Sequence, residues 1–329
     1  MEKRKRLKGE ILLSGDVVLS TAPQKLSAAI RFVTKSDVSH ALLCVGPYSA
    51  VDATADGVHS HNTQRLLFDS TQPLYVLRSK VPLSSETLLA IADFARGKVG
   101  TRYSIVDALK VSTRTAPKAS RQQFCSRLVA QAYASAGIDL VPNPDFCSPE
   151  DIKNSPLLTK VCGATENVSD SLVAAISASE DVPLHMQSVT SMALAQIREI
   201  KPSIEGLNDV IQFLRKNPSF DLSFLAAFRD SGYLVAWQVE VKSKPWQYIY
   251  EVFDQSEETD GEKKSYCQNV IEQYDGEVRR FEISHANLKE YLQEAELVTF
   301  EALNEINLKM ISLLRQRLEL AERWLNTNN

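Results

Sequence analysis

The segment VSHALLCVG at residues 38–46 decides the fold of the first half of this chain. It is an aliphatic run that ends at a Gly-Pro pair, which predicts a buried β-strand. His40 stands near its beginning, and a polar ring within an apolar strand is unfavourable unless it finds a partner. The histidine is therefore either a satisfied core residue or part of a site.

Short apolar segments on both sides of this strand are also typical of strands. They are separated by turn residues and lie at residues 17–20, 50–54, 57–61 and 74–78. Residues 21–33 have apolar side chains at helical spacing. We therefore expect a small antiparallel sheet with one inserted helix in this region.

Amphipathic helices are predicted after the sheet, at residues 84–97, 103–111 and 123–136. Gly137 is placed to end the third of them. Cys125 falls near the start of this helix, where free backbone N–H groups and the positive end of the helix dipole favour an anion. A lone free cysteine is usually structural, but this position makes Cys125 a candidate nucleophile.

Thiolate chemistry also needs a base and a group that orients the base. His40 is the candidate base, and Asp52 lies in the next predicted strand. A tight hairpin over residues 46–49 would pair Asp52 with Leu43, so a wider turn or a bulge is needed to bring Asp52 to His40. The carboxylate could then hold one imidazole nitrogen and leave the other for the thiol.

The order of these segments resembles the circularly permuted papain-like cysteine hydrolases of the NlpC-type superfamily. This branch includes YiiX/YebB-like amidases and lecithin:retinol acyltransferase-like enzymes, and in it the histidine strand precedes the cysteine helix. The resemblance covers about residues 15–160. The matching segments are GDVVL (15–19), SHA (39–41), VDA (51–53), GTRY (100–103) and FCSRLV (124–129).

The resemblance implies a role for each matching residue. Cys125 would be the nucleophile, His40 the general base and then acid, and Asp52 the orienting third residue. Many relatives have glutamate or a second histidine at the third position, so His59 and His61 stay open as alternatives to Asp52. Tyr103 would donate its hydroxyl to the developing oxyanion, together with the backbone N–H of Cys125. No metal or organic cofactor is implied.

Composition sets outer limits on the function. The 329 residues are 44% hydrophobic and 24% charged, with a formal net charge of −4, which suits a globular chain and gives no reason to expect a nucleic-acid partner. No apolar run approaches the roughly 18 residues of a membrane span. The basic residues 1–10 are expected to form a solvated arm.

The cysteines indicate the compartment. Their number is five, no CxxC occurs and no signal peptide is visible, so a reduced, cytoplasmic protein is expected, with secretion by a non-standard route left open. The remaining four are expected to be structural: Cys44, Cys147, Cys162 and Cys267.

The second half of the chain matches no family by its motifs. We divide the chain into a hydrolase domain at residues 1–165 and a mostly helical accessory domain at residues 166–329, which could select the substrate or a partner. Residues 224–252 form a mixed, aromatic-rich region whose rings could line a groove, although aromatic clusters in strands usually belong to a core. A long helix predicted at residues 300–326 has a broad apolar face, which packs within its own domain or forms a homo- or hetero-oligomer.

The predicted protein is therefore an α+β, permuted papain-like enzyme with a helical second domain. It would cleave an amide, ester or thioester bond through an acyl-enzyme on Cys125, as a hydrolase or an acyltransferase. Its substrate would be a peptide, a protein or an acyl lipid. The alternatives are a catalytically silent papain-like binding module and a toxin-like effector that modifies a partner protein.

Overall fold

The computed structural model describes residues 3–21, 36–46, 48–104, 107–108 and 121–328. The helix predicted at residues 21–33 and most of the helix predicted at residues 103–111 lie outside these ranges. The chain forms two compact units. The first comprises residues 1–187 and 205–208, and the second comprises residues 188–204 and 209–329. The functional boundary expected at residues 165 and 166 stays a prediction.

The first unit contains two antiparallel sheets. Their strands are Arg4–Leu7 (β1), Val17–Ser20 (β2), His40–Gly46 (β3), Ser49–Thr54 (β4), Gly57–Asn62 (β5), Leu67–Asp69 (β6), Leu74–Ser79 (β7), Leu158–Lys160 (β8) and Thr165–Val168 (β9). The larger sheet has the order β5-β4-β3-β2-β7-β8, and the smaller has the order β6-β1-β9. The predicted strands around residue 40 are all present and adjacent in the larger sheet.

The sequence predicted a solvated arm at residues 1–10, and this prediction is wrong. Residues 4–7 form the central strand of the smaller sheet, paired on both sides. Arg6 donates to Glu166 at 2.7 Å across this sheet, and Leu7 is buried. The charged side chains of a short strand can remain at the surface while its backbone is fully paired, and local charge does not reveal that pairing.

Within the described ranges, three helices lie between β7 and β8 and the others follow β9, and the Ser84 hydroxyl caps the first helix. They are Ser85–Gly97 (α1), Cys125–Ser135 (α2), Pro149–Lys153 (α3), Asp170–Ala178 (α4), Val182–Ile200 (α5), Leu207–Lys216 (α6), Asp221–Asp230 (α7), Trp237–Ser243 (α8), Tyr250–Asp254 (α9), Asp260–Glu294 (α10) and Val298–Asn328 (α11). Among the described residues, none of these helices combines the length and the apolar character needed to cross a bilayer.

The main core of the first unit lies where α1 and α2 pack on the larger sheet. Alternate residues of the strands face these helices and are fully buried, as the period of two requires. They include Val17, Leu19, Ala41, Leu43 and Val51, which meet Ile91, Leu128 and Val129. The intervening residues form a second apolar cluster that includes Leu42, Cys44, Ala50 and Leu7 of the smaller sheet.

A one-residue irregularity between β3 and β4 sets the register of the site. Gly46 pairs with Ser49, but beyond this the register shifts by one residue, so that Asp52 pairs with Leu42 and not with Leu43. Because successive side chains alternate between faces, this shift moves Asp52 to the face that His40 shares with Leu42. The bulge that the sequence required for an Asp52–His40 contact is present.

The second unit is helical throughout its described residues. The predicted C-terminal helix is confirmed as α11, which packs along α10. The aromatic region at residues 224–252 forms short helices and 3₁₀ turns. The strand interpretation of this region is therefore wrong. Its rings do lie in a core, in which Trp246 and Phe253 pack with Tyr266 and Trp324.

A matched pair of valine substitutions tests the burial of the sheet core. Val51 is fully buried beside Asp52, whereas Val81 follows β7 and is 66% exposed. Val51→Ala is expected to lower the free energy of local opening in β3 and β4 by about 2 kcal/mol, since it removes buried methyl groups and leaves a cavity. Val81→Ala should change it by less than about 0.5 kcal/mol. Amide hydrogen exchange of these strands measures both, and equal effects would contradict the assigned burial.

Candidate active site

His40 and Asp52 lie in direct contact. The Nε2 atom of His40 is 2.7 Å from Oδ2 of Asp52, and both side chains are largely buried. The register shift between β3 and β4 brings the short aspartate side chain within reach. The predicted pairing of these two residues is therefore present in the structure.

A second imidazole binds the same carboxylate. The Nε2 atom of His61, on β5, lies 2.8 Å from Oδ1 of Asp52. Burial disfavours the ionised carboxylate, but the hydrogen bonds from His40 and His61 outweigh it and hold the pKa of Asp52 well below its usual range. Asp52 is thus a carboxylate at neutral pH, with one imidazole on each oxygen.

The ionised carboxylate determines the role of each ring nitrogen of His40. A carboxylate only accepts hydrogen bonds, so His40 Nε2 must donate, and Nδ1 is left for another partner. Burial lowers the pKa of His40, but the hydrogen bond with Asp52 and the interaction with the Cys125 side chain raise it to about 10. The ring is therefore stabilised as an imidazolium, which is the form that would stabilise a neighbouring thiolate.

Cys125 is the first residue of α2 and lies at the beginning of β3. Its Sγ atom is 4.0 Å from the backbone oxygen of Ser39, and the residue is 5% exposed. Phe124, which precedes it, makes no side-chain capping hydrogen bond. The N–H groups of the first helical turn are therefore free of a side-chain cap, close to where an anion would form.

Arg127 anchors the start of this helix. Its guanidinium group is buried, donates to the backbone oxygens of Asp145 and Gln122 at 2.8 Å each, and pairs with Asp107 at 3.1 Å. It also lies 4.4 Å from the centre of the Phe124 ring. These contacts hold the backbone on both sides of Cys125.

Tyr103 reaches the site through a backbone bridge. It pairs with Gln123, two residues before Cys125. The loop before it is held against β5, where Val58 donates to the Thr101 oxygen at 2.9 Å. Gly57 makes this approach feasible, because its φ is +120° and a Cβ atom there would lie 2.9 Å from that oxygen. Burial, Cys125 and Asp52 all raise the pKa of Tyr103, so its hydroxyl stays protonated and able to donate.

His59 lies opposite Asp52. The two residues pair in the β4–β5 register, and His59 is 3% exposed, with its Nε2 atom buried and without a hydrogen-bond partner among the described residues. Burial lowers the pKa of His59, so it is neutral at pH 7. Of the two alternatives to Asp52, His61 hydrogen-bonds to Asp52, whereas the Nε2 atom of His59 makes no such bond within the described part of the chain. Which of the three residues is the third catalytic residue stays a prediction.

Of the four other cysteines, Cys44, Cys147 and Cys267 are buried. Burial raises the pKa of Cys44 and of Cys147 well above the usual range, and raises that of Cys267 to about 11. Cys162 is exposed. Among the described residues, no group of three or more histidine, cysteine, aspartate or glutamate side chains is arranged to hold a metal ion.

The comparisons with known proteins agree with this arrangement of strands and helices. The model of a family described as permuted papain-like amidase enzymes, YaeF/YiiX, C92 family, matches residues 12–175. These residues, about half of the chain, belong to that family, and the fold predicted from the sequence is confirmed. The family indicates a hydrolase of the cysteine-peptidase type.

Solved structures are similar to part of the chain. Among them is the crystal structure of metalloprotein yiiX from Escherichia coli O157:H7, with 18% sequence identity and a TM-score of 0.32. The match covers 45% of this chain and 96% of that chain. The family membership rests on the sequence match, since this TM-score is too low to carry an argument. No curated protein matches the chain.

Sequence reasoning missed Arg127 and the second contact of Asp52. An arginine within an amphipathic helix is usually a surface residue, and only its low exposure of 2% shows that it is structural. His61 was considered only as a substitute for Asp52. The Asp52–His61 contact depends on the register of β4 and β5, in which His61 pairs with Ala50. The alternation of side chains along Gly57–Asn62 was the one feature of the sequence that could have indicated this contact.

The buried pair predicts a pH-dependent stability. His40 has a raised pKa, so its contribution is complete below about pH 6.5 and is lost as the pH rises towards 10. Asp52 has a lowered pKa, so its contribution is present above about pH 4 and is lost as the pH falls. The loss of stability caused by His40→Asn should therefore be largest between about pH 4 and 6.5 and should shrink at higher pH.

Urea unfolding at several pH values measures this difference. The control is His285→Asn in the second unit, since His285 hydrogen-bonds to the neutral Asn304 at 2.7 Å. A His40→Asn effect that is constant from pH 5 to about 9 would contradict the linkage.

Proposed function

We propose that residues 12–175 form a cysteine amidase that works through an acyl-enzyme on Cys125. The observation that carries the proposal is the placement of a buried imidazole–carboxylate pair beside this cysteine at an uncapped helix start. Family membership supports hydrolysis as the reaction class. An amide is the proposed substrate bond, within a peptide or a protein.

The first half-reaction begins with the thiol proton. His40 accepts it at Nδ1, the nitrogen that Asp52 does not occupy, and the sulfur attacks the carbonyl carbon. The carbonyl π electrons move to oxygen and form a tetrahedral oxyanion. The Cys125 N–H and the Tyr103 hydroxyl would donate hydrogen bonds to it. When the intermediate collapses, the C–N bond breaks, and His40 transfers its proton to the leaving amine.

The second half-reaction uses water. His40, now neutral, takes a proton from water, whose oxygen attacks the thioester carbon. Collapse of this intermediate releases the carboxylic acid, and the sulfur leaves as a thiolate that His40 can reprotonate. Asp52 holds the ring orientation in both halves and stabilises the imidazolium without accepting its proton.

Thiol reactivity tests the first step. Cys125 should react with iodoacetamide at pH 5–6, where an ordinary thiol with a pKa of about 8.5 is almost entirely protonated. His40→Ala should slow this reaction by roughly 10-fold or more at pH 6, because it removes the cation beside the sulfur. Peptide mass spectrometry assigns the rate to each cysteine.

Cys162 serves as the control within the same molecule, since it is exposed and distant in sequence from the site. Its rate should be the same in wild type and in His40→Ala at each pH. If the rate at Cys125 follows the same curve and does not depend on His40, the catalytic assignment is wrong and a silent binding module is favoured.

Tyr103→Phe tests the oxyanion assignment separately. With p-nitrophenyl acetate as the probe, we expect Cys125 acylation to slow by roughly 100-fold, the usual cost of losing one oxyanion donor. Iodoacetamide reactivity should not change, because alkylation forms no oxyanion. Tyr75→Phe is the matched control, since the Tyr75 hydroxyl binds Asp37 at 2.6 Å. Equal acylation rates for Tyr103→Phe and wild type would remove Tyr103 from the proposed mechanism.

A further inference from the structure

We infer that His61 is a positioning residue for the chemistry at Cys125: it fixes the Asp52 carboxylate in the rotamer that orients His40. This inference rests on the proposed function, because it concerns the same site. It assigns to His61 neither contact with the substrate nor a proton-transfer step.

His61 binds the Asp52 carboxylate oxygen that His40 does not bind. Asp52 has one oxygen bound to each ring, with Nε2–Oδ distances of 2.7 Å to His40 and 2.8 Å to His61. Two donors on opposite oxygens fix both the position and the twist of the carboxylate plane. A single donor would leave a short side chain free to rotate about its terminal bond, which has a broad energy profile.

Burial makes the second donor necessary. The Asp52 side chain is 5% exposed, so water does not readily replace a missing donor. An unmet oxygen on a buried carboxylate is unfavourable and would promote either rotation or protonation of Asp52. Either change would weaken the hold on His40 Nε2, and thereby the imidazolium beside Cys125.

The charges around His61 favour this role. Burial lowers the pKa of His61, but the hydrogen bond with Asp52 and the attraction of that carboxylate raise it above its usual value. The nearby Asp181 adds to the rise, and His40 opposes it. His61 therefore donates from Nε2 whether it is neutral or cationic, so that the donor persists across the working range of a thiolate site.

The position of His61 allows a substitution test. Its side chain is 25% exposed, near the end of β5, so polar replacements should fold. Glutamine places its amide nitrogen about as far along the side chain as the imidazole Nε2, whereas asparagine is shorter by one methylene. Both are neutral amides that do not titrate, so they differ mainly in whether they reach Asp52.

The experiment compares His61→Gln with His61→Asn in the full chain, with iodoacetamide as the probe of Cys125 across pH 5–9. We expect His61→Asn to slow the reaction at pH 6 by roughly 10-fold, the scale of one hydrogen bond to a charged group. His61→Gln should keep the wild-type rate and pH dependence. Thermal unfolding of each variant shows whether the fold is retained.

His59→Asn is the matched control. His59 pairs with Asp52 in the sheet, but its Nε2 atom has no hydrogen-bond partner within the described ranges, so its substitution removes no Nε2 hydrogen bond to the carboxylate. Its Cys125 reactivity should equal that of wild type. Equal rates for His61→Asn and His61→Gln, both folded, would overturn the inference, because reach to Asp52 would then be irrelevant.

The result separates this inference from the proposed function. If wild-type Cys125 reacts as an ordinary thiol and is insensitive to His40→Ala, the proposed function fails, and the positioning role fails with it. If wild-type Cys125 is reactive at low pH and depends on His40, but the two His61 variants behave alike, only the positioning role is wrong.

Discussion

The site depends on one buried carboxylate, which is kept ionised by two imidazoles. Burial alone would favour protonation of Asp52, and the hydrogen bonds from His40 and His61 reverse that preference. The ionised state of Asp52 also determines the state of His40. An ionised Asp52 forces His40 to donate from Nε2, leaves Nδ1 available, and stabilises the imidazolium next to Cys125.

This contact exists because of the register between β3 and β4. Without the irregularity between Cys44 and Gly46, Asp52 would pair with Leu43 and face the packed helices. The carboxylate would then lie on the face that carries the buried aliphatic side chains of the main core. The extra residue thus keeps the Asp52 carboxylate out of the aliphatic core, where its burial would be unfavourable.

The start of α2 also holds the site in place. Arg127 ties this helix to the backbone of Gln122 and Asp145, and Ser126 donates to the Cys147 oxygen at 2.7 Å. The sulfur therefore occupies a fixed place relative to β3, 4.0 Å from the Ser39 backbone oxygen. A rigid helix start lets the uncapped N–H groups serve as oxyanion donors without further rearrangement, which suits the proposed chemistry.

The sequence by itself determined five strands of the larger sheet (β2, β3, β4, β5 and β7), the helix that carries Cys125, the family and the long C-terminal helix. These depend on local apolar spacing, turn residues and short motifs, all of which can be read within a few residues. Only the tertiary structure decided that Arg4–Leu7 is a paired strand, that Arg127 is buried, and that Asp52 binds two imidazoles at once. Each of these depends on which distant segments pair and in which register. A shift of one residue inverts the faces of a strand while leaving its composition unchanged.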